Sequence, residues 1–148
     1  KADMKDVSLD PYILVKPDYF AYVTVTSRNG EKITLAHNDS TKTYIVSSSY
    51  IVFRVSHPEL LLSDYLSLLF TRSEFDRYAR FSSWGSARET FDWNEMCDVK
   101  IPLPSIDIQQ DIVNIYNVYI ERQRIAAELR QKIKTLCPLL IKGSLEEK

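Results

Sequence analysis

The chain has 148 residues, a formal net charge of −1 and an apolar fraction of 45%. That bounds it to one domain, or one domain with an appendage, long enough to bury roughly two-thirds of the surface the unfolded chain exposes. The near-neutral balance excludes a protein that holds nucleic acid by bulk positive charge, so any such contact must come from a local patch or be shared with a partner.

The first part reads as β-rich. Tyr19–Val25 alternates bulky and small residues, and Tyr50–Val55 is dense in β-branched and aromatic side chains. Between them Ser27–Gly30 carries the Asn-Gly signature of a tight hairpin, which predicts a returning strand at Glu31–Leu35. Ile45–Val46 is a further short strand candidate. The period then changes. Pro58 suits a first helical turn, Leu60–Phe70 places apolar residues on a helical stripe, and Ser73–Arg80 is a second amphipathic helix with Ser73 as its N-cap. Asp92–Cys97 predicts a short helix and Val99–Leu103 a strand, ended by Pro102 and Pro104. This order indicates an α/β or α+β domain with a mixed sheet, closing near Pro104.

From Asp107 the pattern is different. Asp107 and Gln110 fit an N-cap with its capping-box partner. Beyond them Ile112, Ile115, Tyr119, Arg122, Ala126, Leu129, Ile133, Leu136 and Leu140 alternate spacings of three and four, a heptad seam with Arg122 as its one polar member. Pro138 is expected to kink or end the helix, which leaves Asp107 to about Cys137 with a length of roughly 45 Å at ~1.5 Å per residue. An ordinary docking helix is the plain alternative. However, a helix this long exceeds what a domain of about a hundred residues can cover, and the pattern predicts a coiled-coil partner.

The stretch Arg77–Trp93, RYARFSSWGSARETFDW, interleaves three arginines with aromatics, serines and a glycine. Arginine forks, aromatic planes and small hydroxyls are what a protein uses to grip phosphates and stack on bases, although a solvated turn can have the same composition. Arg77, Arg80 and Arg88 are the charged candidates, and Ser82, Ser83 and Ser86 the short donors. Gly85 permits close backbone approach. Trp84 is either a stacking residue or a packed lid. Ser86 with Glu89 spells a capping box, whose helical turn would aim its N–H groups outward. Phe91 and Trp93 are assigned to the core. Ser27, Arg28 and Asn29 form the second candidate, since a hairpin tip with Arg and Asn can reach guanine and adenine edges. The same Asn29-Gly30 pair also satisfies a type I′ turn with no ligand at all.

The segments YFAYVTVTSRNG, YIVSSSYIVFRV and FDRYARFSSWGSARETFDW, followed by IPLP-x-I-x-x-QQ-x-IV and the long helix, resemble the specificity subunit of type I restriction-modification enzymes. The resemblance runs over nearly the whole chain. It implies a DNA target recognition domain over 1–104, short at its N-terminus, and a conserved-region spacer helix over 105–148. A complete subunit of that family has two such domains and two antiparallel helices; here there is one of each. The implied function is sequence-specific, non-catalytic readout of double-stranded DNA. The implied partners are modification and restriction subunits, which would bring S-adenosylmethionine, ATP and magnesium, and a second half or second copy joined through the helix. A different reading is an assembly module that docks a modification subunit through its helix without touching DNA.

Other features carry less. His37 and His57 have no carboxylate or cysteine at ligand spacing in the sequence. Asp98-Val99-Lys100, with Asp92 upstream, has the outline of a metal-dependent nuclease site, but the resemblance places it in a core strand. No glycine-rich phosphate loop, nucleophile elbow or methyltransferase motif is present, so no cofactor of its own is expected. Cys97 and Cys137 lack CxxC or Cys/His neighbours and are expected to be small buried residues in a reducing cytoplasm. No apolar run approaches the ~20 residues of a membrane span, and no signal peptide is read.

Overall fold

The computed structural model describes residues 11–26, 32–85 and 88–146. Its elements are β1 (Ile13–Val15), β2 (Phe20–Val23), β3 (Leu35–His37), β4 (Tyr44–Val46), β5 (Tyr50–Phe53), α1 (Ser63–Phe70), α2 (Ser73–Phe81), α3 (Trp93–Cys97) and α4 (Ile106–Glu146). The chain divides into two units, Lys1–Gln110 and Asp111–Lys148.

In the first unit β2 is the middle strand of a sheet ordered β3-β2-β5, and β1 pairs with β4 in a separate ribbon. The α+β class agrees with the sequence, but both sheets are antiparallel where one mixed sheet was expected. Among the described residues all five strands precede the first helix, so no helix lies between them to serve as the crossover of a parallel pair. Alternation along β2 sends Phe20 and Tyr22 to one face, where both are fully buried. There Phe20 stacks on Phe53 at 5.0 Å and meets Phe70 edge-on at 5.9 Å. Leu66 and Phe70 of α1, Phe75 and Ala79 of α2, Phe91 and Met96 complete this core.

Several boundaries differ from the sequence reading, each for a hydrogen-bonding reason. The returning strand is Leu35–His37, because the Ile33 N–H leaves the ladder to bond Asp76 Oδ1 at 3.1 Å. Helix α1 starts at Ser63 and not Leu60, because the Leu60 and Leu61 N–H groups close a turn on the His57 carbonyl at 3.0 and 3.1 Å. Arg72, and not Ser73, holds the N-cap position of α2. Val99–Leu103 forms no strand, in keeping with the prolines that deny it ladder bonds. Trp93 remains 40% exposed, with its ring 5.2 Å from Phe53, while Phe91 is fully buried as expected. Cys97 and Cys137 are both exposed, contrary to the expectation of buried thiols.

Helix α4 begins at Ile106, its first turn closed by the Gln109 N–H on the Ser105 carbonyl at 3.0 Å. Asp107 therefore sits inside the first turn, where its charge complements the helix dipole, and not at the cap. Pro138 lies within the helix and does not end it. Gln109 is fully buried and ties three backbone groups together. Its Oε1 accepts from Leu62 N–H at 2.9 Å, and its Nε2 donates to the Leu60 and Pro104 carbonyls at 2.9 and 2.8 Å. The side-chain amide thus supplies the N-terminus of α1, which has no side-chain cap of its own. Among the described residues, no helix is long and apolar enough to cross a membrane.

Candidate nucleic-acid interface

Backbone pairing brings residues 24–26, which lead into the 27–31 segment, alongside residues 89–91, which follow the arginine-bearing loop. Trp84 and Thr90 form an antiparallel bridge, with N–H to carbonyl distances of 3.1 and 2.9 Å in the two directions. Thr90 is bridged in turn to Val25, flanked by Thr26 N–H to Glu89 O at 3.0 Å and Phe91 N–H to Thr24 O at 2.8 Å. The loop 84–90 is therefore fastened alongside the run that continues from the end of β2. Gly85 makes the loop possible. Its φ is +133°, and a Cβ there would stand 2.2 Å from the Arg88 carbonyl oxygen.

Side chains add to the fastening. The Thr26 hydroxyl donates to Ser83 Oγ at 3.1 Å and is shared with the Glu89 carbonyl at 3.2 Å. The Ser83 hydroxyl in turn donates to the Ala79 carbonyl at 2.6 Å. On the far side of the 27–31 segment, Ile33 is bonded to Asp76 of α2. Both flanks of that segment are thus anchored to α2 and to the loop that follows it. Ser27, Arg28, Asn29 and Ser86 lie outside the described residues.

Helix α2 turns Phe75 and Ala79 into the core, which leaves Arg77 and Arg80 outward. Both arginines line a surface concavity with Lys32, Tyr78 and Phe81, where Glu74 and Asp76 are the acidic members. Glu74 is held below the usual carboxylate range, first by its own backbone N–H at the start of α2 and then by Arg72 and Arg77. Arg80 stands 3.7 Å from Glu89, and Arg88 is exposed. Trp84 is 71% exposed and donates its indole N–H to Glu95 Oε1 at 3.3 Å, which fixes the ring while leaving it accessible. Ser82 caps the C-terminal end of α2 through its backbone N–H on the Tyr78 carbonyl at 2.9 Å.

Ser83 is different from the other candidates, because its hydroxyl proton is already committed within the fold. Lys32 and Phe81 belong to the same surface and were not singled out in the sequence. The signal for Phe81 was helical spacing: Phe75 and Ala79 mark the core stripe, so Phe81 falls one turn beyond Arg77 on the outer face.

Elsewhere, His37 is not isolated, as its sequence context suggested. Its Nε2 lies 3.1 Å from Asp18 Oδ1 and its Nδ1 3.6 Å from Asp64 Oδ1. His57 likewise meets Glu59 at 2.9 Å. Asp92 is the N-cap of α3, accepting from the Glu95 N–H at 3.1 Å. Among the described residues no three His, Cys, Asp or Glu side chains could hold a metal ion together.

In the second unit the described side chains of the heptad row are open to solvent. Ile115 is 71% exposed, and Ile112, Tyr119, Leu129, Ile133 and Leu136 are all exposed, as is Ala126. Arg124 donates to Glu121 at 2.8 and 2.6 Å and also pairs with Glu128, and the hydrogen bonds from Arg124 hold the Glu121 carboxyl low.

The family model for the type I restriction modification DNA specificity domain matches residues 17–135. No curated protein matches the chain.

Proposed function

The chain belongs to the type I restriction modification DNA specificity domain family, and on that premise we propose that the surface built by α2 and the loop that follows it is its DNA-reading face, joined there by the residues of the 27–31 segment. Membership makes this a non-catalytic DNA target recognition component, whose partners are DNA and the other subunits of a restriction-modification system.

The observation that carries the assignment of the face is the anchoring of Thr26 and Ile33 to Glu89, Ser83 and Asp76. It ties the residues on either side of the arginine-bearing segment 27–31 to α2 and to the loop that follows it, far away in sequence. In this reading Arg77, Arg80 and Arg88 bind phosphates or guanine edges, and Ser27, Arg28 and Asn29 reach base edges from the hairpin. Trp84 offers a ring face, Gly85 allows the loop its close approach, and Ser82 and Ser86 supply short donors. Ser83 acts by positioning the loop.

Residues 1–104 are the reader and 105–148 the spacer. The row Ile112, Ile115, Tyr119, Ala126, Leu129, Ile133 and Leu136 is the seam along which a second helix packs. Charge supports an antiparallel arrangement. Residues 106–121 carry Asp107, Asp111 and Glu121 with no Lys or Arg, whereas 122–142 carry six cations against Glu128 alone. Two copies paired in this way would place acidic halves against basic ones and read a symmetric, split target.

The test is the combined variant Arg77→Ala, Arg80→Ala and Arg88→Ala in the assembled complex. Duplex affinity falls, and the slope of log affinity against log salt drops by about one for each phosphate contact removed. Unchanged affinity and slope would refute this surface.

A further inference from the structure

Phe81 ends α2 and is 89% exposed, the most exposed of the large apolar side chains among the described residues. It contributes nothing to the core, since α2 uses Phe75 and Ala79 for that purpose. It lines the same concavity as Lys32, Arg77 and Arg80. Of the acidic groups there, Asp76 accepts from Ile33 N–H at 3.1 Å, and Glu74 lies 3.4 Å from Arg72 and is held low by its own backbone N–H and then by Arg72 and Arg77. Glu89 pairs with Arg80 at 3.7 Å.

A bare phenyl ring among three cations asks for a partner that is polyanionic outside and apolar within. Duplex DNA has that chemistry. Its phosphates lie at the rim of the groove, and its apolar surface is confined to thymine methyls and base faces. We propose that Phe81 is a specificity-determining residue that makes apolar contact with the target bases while Lys32, Arg77 and Arg80 hold the flanking phosphates. This rests on the DNA-reading face proposed above. The ring can meet either a thymine methyl in the major groove or a base face uncovered by partial unstacking, and the experiment separates them.

The assembled complex is used to select duplexes from a randomised pool, and Phe81→Ala is compared with the unaltered protein on a selected and an unrelated duplex. The variant binds the selected duplex about tenfold or more weakly and keeps its weak, salt-sensitive binding to the unrelated one. Because the side chain is exposed, its melting temperature is unchanged. If replacing thymine by uracil weakens only the unaltered protein, the contact is to the methyl. If 2-aminopurine brightens on binding only with Phe81 present, the contact is to a base face.

Equal affinity of the two proteins overturns the proposal, as does a loss with neither signal. So does loss of assembly with the modification subunit while the DNA affinity of the assembled complex is intact, which would make Phe81 a subunit contact. In all three cases the DNA-reading face itself stands. If the unaltered complex selects no duplex, or the arginine variant binds as before, it is that face which fails.

Discussion

The Thr26 hydroxyl donates to Ser83 Oγ at 3.1 Å across 57 positions of sequence, and the Ser83 hydroxyl in turn donates to the Ala79 carbonyl at 2.6 Å. This short relay couples the strand that leads into the 27–31 segment to the last turn of α2. It is half-buried, so water competes for it only in part, and a net worth of about 1 kcal/mol is reasonable.

Thr26→Val keeps the shape of the side chain and removes the donor. Stability should fall by about 1 kcal/mol. Amide exchange in the loop 84–90 should quicken, because the Glu89 carbonyl then keeps only the Thr26 backbone N–H. Loop exchange rates identical to those of the unaltered protein would show that backbone pairing alone holds the loop.

Gln109→Leu should be among the most damaging substitutions. It leaves the Leu62 N–H and the Leu60 and Pro104 carbonyls without the partner they have now. With each stranded group costing about 1–3 kcal/mol, partly relieved by water, a loss of about 3 kcal/mol is expected. Urea unfolding measures it, and a loss under about 1 kcal/mol would mean the backbone groups find other partners.

Tyr22 makes an opposite prediction. Its hydroxyl is buried with no hydrogen-bond partner among the described residues. Burial pushes the phenol pKa well up, with Asp92 and then Cys97 adding to the shift. A phenol whose folded pKa exceeds its unfolded value of about 10 supports the fold fully below that pH, and the support is lost as pH rises beyond it. Tyr22→Phe should therefore be neutral to about 1 kcal/mol stabilising at pH 7. It should also lose less stability than the unaltered protein between about pH 9 and 11. Parallel alkaline losses in the two proteins would remove Tyr22 from the account.

The pairing of α4 is tested by Ile133→Asp, which sets a charge in the proposed seam. Sedimentation should show self-association of the unaltered chain and a monomer for the variant at the same concentration. An unaltered chain that stays monomeric at high concentration would sink self-pairing.

How much of this was legible depended on whether a signal was repeated along the chain. The helix from Ile106, the α2 stripe and the aromatic density of β2 and β5 each state the same preference several times over. The strand Ile13–Val15 has only three residues, too few for alternation to register. Gln109 is one of two adjacent glutamines at a helix start, and nothing in the sequence sets it apart from Gln110. Its burial depends on carbonyls 49 and 5 positions away, which no local pattern encodes. The departure of Ile33 from the ladder likewise depends on Asp76, 43 positions on. For the candidate face the residue types were readable, but the anchoring of its flanks required the fold. Pro138 shows the limit from the other direction, since a residue that usually ends helices sits inside one here.

The bonds that fasten the candidate face run through main-chain carbonyls and amides, or through flanking residues such as Thr26 and Asp76. Among the described residues none of them uses the side chain of Arg77, and the Trp84 indole bonds Glu95, outside that frame. Those outward positions can therefore be exchanged without disturbing the frame that presents them. A lineage carrying this fold could turn to a new target by a few substitutions at the tips, while the buried chemistry beneath stayed as it is.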